Sequence, residues 1–470
     1  MKEEITVSAT IMGILNVTPD SFSDGGLYTC PNKAVEFAHD LQKSGAAIID
    51  VGGQSSRPNA EPVSVEVELS RVVPVVEGIH LGLHAGTILG TTRTSIDTYY
   101  PEVARAASDA GASIINDISG FTDPEMLKVA ADTGADCVLM HMAGEPRTMQ
   151  DNPFYIDVVQ EVCDYLLEGA QRLVEAGIPK ERIFLDPGYG FGKTKDHNLE
   201  LFLHSDKMAE QIHAADYKML VGISRKSFIG SLFGIDDPQA RDEVSAELAA
   251  VLAVPSSVSS VDVLRVHNVA LTRQALQDLS DSMNSAQATT AYVALGSNLG
   301  GPIANIAEAL CAMDNLPLTK VKEIATPVLS EPAYDSNQMP FTNTVCRIET
   351  YLPASALFTY LQAIEVDMGR EKLREKGPRI IDLDLLSYAD SSVALPNLTV
   401  PHPGMNERAF VLEPLREIAA DFTLPDGSKL VPADEVYGKI MTVIPMELLQ
   451  TEIDRKKELA IRLEKDSQRR

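Results

Sequence analysis

Residues 94–116 read TSIDTYYPEVARAASDAGASIIN, and this stretch holds the unit from which the first half of the chain is built. A short apolar run, Thr94–Asp97, ends in a carboxylate. A segment of helical periodicity, Pro101–Ala110, follows and stops at Gly111, where a left-handed C-cap belongs. A second run, Ser113–Asn116, again ends in a polar residue. The same unit recurs in both directions along the chain. Further runs lie at Ile11–Val17, Ala47–Val51, Cys137–His141, Ile183–Asp186, Met219–Gly222 and Val263–His267. Amphipathic segments such as Lys33–Ser44 and Pro124–Thr133 separate them, with Gly45, Gly134 and Gly177 as further stops. Continuously apolar strands alternating with helices mean a parallel sheet covered on both faces. Eight such units before about Gln277 predict an α/β fold of the (β/α)8 TIM-barrel type, which takes about 250 residues.

Nearly every run ends in polar residues: Asn16, Gln54, Asp97, Asn116, His141, Asp186, Ser224-Arg225-Lys226, and Arg265 with His267. A barrel places its active site at the C-terminal ends of its strands, so these residues are expected to converge on one rim. The formal charge of −27, from 40 basic and 67 acidic residues, argues against nucleic acid or an anionic membrane as partner. No run of about 18 apolar residues predicts a membrane span, and the first ten residues lack the pattern of a signal peptide. The five cysteines are scattered without paired spacing, as expected of free thiols in the cytoplasm.

The segment 280–290, SDSMNSAQATT, is small and polar and reads as a linker between a barrel of residues 1–279 and a second domain of residues 291–445. That second domain shows strand Ala291–Leu295, helix Ile303–Met313, strands Val321–Thr326 and Thr344–Thr350, helix Pro353–Met368 and strand Ile380–Leu386. The β-α-β-β-α-β order predicts a ferredoxin-like α+β sandwich. After about Lys439 the chain is expected to leave this domain, and 446–470 reads as a charged helical tail with Leu449, Ile453, Ala460 and Leu463 at helical spacing. Asp382 and Asp384, two apart on a strand, share one face. Such a pair flanked by Ile381, Leu383 and Leu385 is costly to bury without a cation. Against the acidic background stands one basic island, Arg370, Lys372, Arg374, Lys376 and Arg379, which on composition alone reads as a solvated loop.

Met12-Gly13-Ile14-Leu15-Asn16-Val17-Thr18-Pro19-Asp20-Ser21-Phe22 resembles the first strand and loop of dihydropteroate synthases. The likeness continues in order through Ser55-Ser56-Arg57-Pro58, Ile96-Asp97-Thr98, Ile115-Asn116-Asp117, Leu139-Met140-His141-Met142, Asp186-Pro187-Gly188-Tyr189-Gly190-Phe191-Gly192-Lys193, Ser224-Arg225-Lys226-Ser227 and Arg265-Val266-His267. The resemblance implies condensation of p-aminobenzoate with a pterin diphosphate. Asp97 would stabilise the developing cation, and Asn116, Asp186 and Lys226 would bind the pterin, Lys226 counting with Asp97 as catalytic. Asn16, Ser56, Arg265 and His267 would take the diphosphate, with Mg²⁺ at Asn16. Arg57, Phe191 and Ser227 would complete the aminobenzoate site. Gln54 replaces a frequent glutamate, Ser56 a usual threonine, and Tyr99-Tyr100 a common Ser-Lys. Gly188-x-Gly190-x-Gly192-Lys193-Thr194 imitates a phosphate loop, but the true spacing puts Pro187 where the outer glycine must stand.

Ala294-Leu295-Gly296-Ser297-Asn298-Leu299-Gly300, Gly377-Pro378-Arg379-Ile380-Ile381-Asp382-Leu383-Asp384, Pro401-His402-Pro403 and Asn406-Glu407-Arg408-Ala409-Phe410 resemble hydroxymethyldihydropterin pyrophosphokinases. That family implies ATP as co-substrate and Mg²⁺ on Asp382 and Asp384. Arg370 and Arg379 would act catalytically, which takes the basic island out of its bland reading. Gln362, Glu365, Arg379, His402 and Arg408 would touch ATP, and Phe341, Asn343 and Phe410 the pterin. Lys376 stands where an aromatic residue is usual, and the chain has no tryptophan. The two resemblances together imply a bifunctional folate-biosynthesis enzyme, synthase first, whose partners are small molecules and which forms a homodimer through the barrel. The readings set against it are a corrinoid-dependent methyltransferase barrel, which has no use for the diphosphate residues, and a working synthase carrying a non-catalytic C-terminal interaction module.

Overall fold

The computed structural model describes residues 6–18, 31–55, 61–145, 147–255, 260–285, 287–333, 337–370, 377–430 and 436–467. Two compact units result, 1–280 and 281–470. In the first, β1 (Thr10–Asn16), β2 (Ile48–Gly52), β3 (Arg93–Asp97), β4 (Ile114–Asp117), β5 (Asp136–Met140), β6 (Ile183–Asp186), β7 (Lys218–Val221) and β8 (Val263–Val266) pair in sequence order into a closed barrel. Every pairing is parallel, and β8 closes on β1 with Thr10 opposite Val263. Closure buries the inner face and the surrounding helices cover the outer one, which is why the strands read as largely apolar runs. Met12, Ile48, Ile114, Val138, Phe184, Leu220 and Val263 fill the interior. The register sets Gly52 beside Asp97 and Asp97 beside Asn116, and Met140 beside Asp186, so the polar strand ends share one rim.

The boundary between the two units falls at the start of the expected linker 280–290, but that segment is not irregular throughout. Helix Val269–Asn284 runs through most of its first half, and the next strand already begins at Thr289. Composition misled because the helix is anchored by tertiary contacts: Leu276 and Leu279 are buried, and the Ser280 hydroxyl accepts the Val7 N–H at 2.9 Å while donating to Leu276 O.

In the second unit β9 (Thr289–Ser297), β10 (Thr319–Ile324), β11 (Val328–Ser330), β12 (Phe341–Thr350) and β13 (Asp382–Tyr388) form an antiparallel sheet. Its order β13-β9-β12-β10 is that of the ferredoxin-like sandwich. Helices Pro302–Asp314 and Ala354–Asp367 pack against this sheet. Helix Ala409–Ile418 sets Val411 and Leu415 against Val345 and Leu386. β10 and β11 divide β12 between them, so residues 341–343, which carry two predicted pterin contacts, pair with the three-residue β11. A small hairpin, β14 (Val393–Leu395) with β15 (Leu398–Val400), follows.

The chain does not leave this domain after Lys439. β16 (Ile440–Val443) pairs with β11, and helix Met446–Ser467 lies on helix Pro302–Asp314 with Leu449 and Ile453 buried and Lys456 paired to Glu308. Ala460 and Leu463 stay exposed, so only the first half of the predicted stripe is used. Removing residues 447–470 strips the cover from that helix, and the melting temperature of the second unit should fall, with Leu449→Ala alone costing about 2–4 kcal/mol. Unchanged thermal melts of both variants would contradict this packing.

Candidate active sites

At the rim of the barrel the polar strand ends form one connected network. Arg265, on β8, donates through Nε to Asp50 at 2.6 Å and through Nη2 to Asp97 at 2.6 Å. Asn116 Nδ2 donates to the same Asp50 oxygen at 3.2 Å, which leaves its own Oδ1 as the acceptor it can offer a ligand. Asp186 accepts the Gly188 N–H at 2.8 Å. The Lys226 ammonium lies 3.9 Å from the centroid of the Phe191 ring. Asn116, Asp186, Phe191, Lys226 and Arg265 line a single cleft, with Asp97 joined to it through Arg265.

Burial dominates the electrostatics of this cleft. It pushes the Asp97 and Asp186 carboxyls above their ordinary range, against the pull of Arg265 on both. It draws Lys226 down to about 7, and Asp186 and Asp97 oppose that fall. For Arg265 burial also disfavours the charge, but Asp50 and Asp97 more than offset it. His267 is drawn down to about 3 by burial and by Arg225, Arg265 and Lys226, which favours the neutral imidazole. Its backbone N–H donates to Ser224 Oγ at 3.1 Å. Arg225 adopts φ 60° and grips Asp242 with two hydrogen bonds of 2.6 and 2.8 Å, and the next residue, Lys226, reaches the cleft. A Cβ on Gly52 would lie 3.5 Å from Asn16 Oδ1 and 3.6 Å from Asp97 Oδ2, which places those side chains on either side of that glycine. Ser227 is exposed at the start of helix Ser227–Phe233. Ser56 and Arg57 lie outside the described residues.

Asp50 is the residue that the sequence concealed. It is fully buried, and it neutralises Arg265 from below. Its signal was a lone carboxylate inside the apolar run Ile48–Val51. The departures at Gln54 and Tyr99 are coupled. Tyr99 donates to Gln54 Oε1 at 3.0 Å, and Gln54 Nε2 donates to Glu68 at 3.1 Å. A carboxylate therefore still stands in this corner, on the helix Val65–Ala85.

Burial lifts the Glu68 carboxyl to about 7, with Thr98 opposing and Asp97 reinforcing. An acid whose pKa is higher folded than unfolded costs stability as pH rises from about 4.5 to about 7, and the deficit is complete above that. Glu68→Gln keeps an acceptor for Gln54 and removes the titration. The variant should melt higher than the parent at pH 8, by about 1–3 kcal/mol in stability, with the gain shrinking toward pH 5. A difference in melting that does not vary with pH would count against a buried, titrating Glu68.

In the second unit a cavity of about 340 Å³ gathers Phe341, Asn343, Arg370, Arg379, Asp382, Asp384, Arg408 and Phe410. Asp382 and Asp384 stand opposite Gly296 and Ala294 of β9 and face the cavity together. Each carboxylate is held by arginine. Asp382 takes Arg379 at 2.6 Å and Arg370 at 2.8 Å, and Asp384 takes Arg408 at 3.0 Å. Asn298 fixes the Arg379 backbone by a reciprocal pair, accepting its N–H at 2.9 Å and donating to its carbonyl at 3.2 Å. Gly296 leaves room for the Asn343 amide, since a Cβ there would stand 2.8 Å from its Oδ1 and would displace it.

His402 lies 3.9 Å from Asp384, and burial lowers its pKa against the pull of that carboxylate. Glu365 differs from the expectation of an ATP contact. It is 2% exposed, accepts the Leu383 N–H at 2.6 Å and the Gln362 amide at 2.9 Å, and pairs with Arg370. Burial and Asp382 push it up to about 8. In this arrangement it braces the strand that bears both aspartates, and neither it nor Gln362 lines the cavity. Of the basic island, Arg370 and Arg379 reach the site, while Lys372, Arg374 and Lys376 lie outside the described residues.

A barrel rim of buried polar side chains and a second cavity pairing aspartates with arginines agree with the families that the chain matches. Residues 12–267 match the pterin binding enzyme family, and residues 292–420 match 7,8-dihydro-6-hydroxymethylpterin-pyrophosphokinase. The dihydropteroate synthase of Escherichia coli K12 is 44% identical over 277 residues, 59% of this chain and 93% of that protein. The Xanthomonas albilineans dihydropteroate synthase solved with 4-aminobenzoic acid superposes with a TM-score of 0.51 at 41% identity, over 58% of this chain and 93% of that one. The Burkholderia cenocepacia dihydropteroate synthase complexed with 7,8-dihydropteroate gives 0.50 at 38% identity, over 59% and 93%. The chain belongs to the pterin-binding enzymes. Its barrel is a dihydropteroate synthase and its second unit a hydroxymethyldihydropterin pyrophosphokinase, two activities of folate biosynthesis in one polypeptide.

Proposed function

We propose that the two units catalyse consecutive steps with the residue roles that follow. In the second unit the hydroxymethyl oxygen of 6-hydroxymethyl-7,8-dihydropterin attacks the β-phosphorus of ATP and AMP departs. Phe341, Asn343 and Phe410 hold the pterin, Arg408 and His402 the nucleotide, and Arg370 and Arg379 the charge of the transferring group. In the barrel the carbon–oxygen bond to diphosphate breaks, the p-aminobenzoate nitrogen bonds to the methylene carbon, and the amine proton leaves. Asn116 and Asp186 read the pterin edge beneath Lys226. Asn16, Ser56, Arg265 and His267 receive diphosphate, and Arg57, Phe191 and Ser227 the aminobenzoate. Asp97 balances the positive charge that grows on the pterin methylene.

The observation that carries this reading is the Asp50–Arg265–Asp97 chain. One guanidinium lies directly against one carboxylate, which supports Arg265 as the group for a leaving anion and Asp97 as the group for a cation. Asp382 and Asp384 suit a divalent cation, since both draw cationic partners from the protein and both offer oxygen ligands. They would hold Mg²⁺, as would Asn16 in the barrel, and the bound ion would neutralise phosphate charge and orient the group in transfer. A homodimer through the barrel and a cytoplasmic location belong to the same reading. Buried, free Cys137, Cys163 and Cys346 support the second, and sedimentation of the purified chain tests the first. Incubation with the hydroxymethylpterin, ATP, Mg²⁺ and p-aminobenzoate should yield dihydropteroate by chromatography, with one AMP for each. A chain that condenses supplied pterin diphosphate but makes no AMP would reduce the second unit to an interaction module.

A further inference from the structure

The glycine-rich turn 188–193 imitates a phosphate loop, yet its lysine points into the protein. Gly188, Gly190 and Gly192 adopt φ of 66°, 78° and 59°. The turn lies so close to the end of β5 that a Cβ on Gly188 would come within 1.9 Å of His141 O, and one on Gly192 within 2.7 Å of Ala143 O. Its carbonyls are met by side chains: Gln150 donates to Gly190 O at 2.7 Å and Tyr155 to Gly192 O at 2.8 Å. Lys193, 3% exposed, meets two more of them. Its ammonium reaches Gly188 O and Phe191 O at 3.1 Å each and His141 Nδ1 at 2.8 Å. Three acceptors exhaust the three N–H groups, so no donor is left for a substrate.

We propose that Lys193 is a positioning residue of the barrel, tying the turn that carries Phe191 to His141 so that the ring stands fixed beneath Lys226. Burial draws Lys193 to about 7 against Asp186, and draws His141 to about 3 with help from Lys193, which keeps the imidazole an acceptor. The inference rests on the reading of Phe191 as part of the p-aminobenzoate site, and the variants separate the two.

In the full chain, with pre-made pterin diphosphate, Lys193→Met should raise KM for p-aminobenzoate about tenfold by stranding buried acceptors. Its kcat and its KM for pterin diphosphate should stay within about threefold of the parent. His141→Leu should act in the same direction and His141→Asn, which restores an acceptor, should recover the parent value. These two variants also carry the test if Lys193→Met fails to fold. Phe191→Ala raising KM while Lys193→Met and His141→Leu do not would overturn the role of Lys193 alone. Phe191→Ala leaving KM unchanged would overturn the reading of Phe191. An equal loss in kcat and both KM values with Lys193→Met would make the lysine merely structural.

Discussion

Asp382→Ala is expected to bring ATP-dependent diphosphorylation to near background while the barrel condenses pre-made pterin diphosphate at the parent rate. Asp382 is the convergence point of its cavity, paired at once with Arg379 and Arg370. Its loss removes a proposed metal ligand and frees two arginines from their shared anchor. Losing one such electrostatic partner costs on the order of 10²–10³ in rate, and a lost metal ligand compounds it. Arg370 keeps Glu365 and the strand keeps its pairing with β9, so the fold should survive. The barrel has its own closed sheet and core and does not depend on this carboxylate. Product analysis discriminates sharply. ADP in place of AMP in the parent would contradict diphosphate transfer, and loss of both activities in a folded Asp382→Ala chain would refute independent sites.

Asp97→Asn should lower condensation on the order of 10²–10³-fold and leave the kinase untouched. Asparagine keeps a carbonyl oxygen for Arg265 and fills the same volume, so the change removes charge with little disturbance of shape. Asp50, on the far side of the guanidinium, still neutralises Arg265, which protects the network from collapse. The measurement is turnover of supplied pterin diphosphate and p-aminobenzoate, with circular dichroism to establish folding. Near-parent turnover would remove Asp97 from the mechanism.

How much of this was legible in the sequence follows from which forces were local. The barrel strands were readable because burial on both faces keeps the runs largely apolar, and the strand ends were readable because polar residues gather there. Asp50 sits buried in mid-strand, where nothing local marks it as part of the site. Its partner lies 215 residues away, and only barrel closure brings Arg265 to it. In the second unit the four strands of the repeating unit were legible, but β11, β14 and β15 have three residues each and show no usable period. β16 was lost for a related reason, since it is a largely exposed edge strand. The polar stretch 280–284 misled because its helix is fixed by contacts with distant residues. The side chain of Glu365 sits on a helix near the nucleotide motifs, and nothing local announces that it turns inward to Leu383.

Among the described residues, the arginines that face the two sites share one trait: each already holds a carboxylate of the chain. Arg265 holds Asp50 and Asp97, Arg370 holds Glu365 and Asp382, Arg379 holds Asp382, and Arg408 holds Asp384. On the proposed roles a phosphorylated substrate would enter by ion exchange. Chloride or another monovalent anion has one charge to offer and must outbid a carboxylate fixed at close range, a poor trade in a chain of net charge −27. A diphosphate or triphosphate brings several charges on one framework and can displace the carboxylate while keeping contacts to spare. On that reading the built-in pairing would act as a valence filter, selecting polyanions over single charges in an acidic protein.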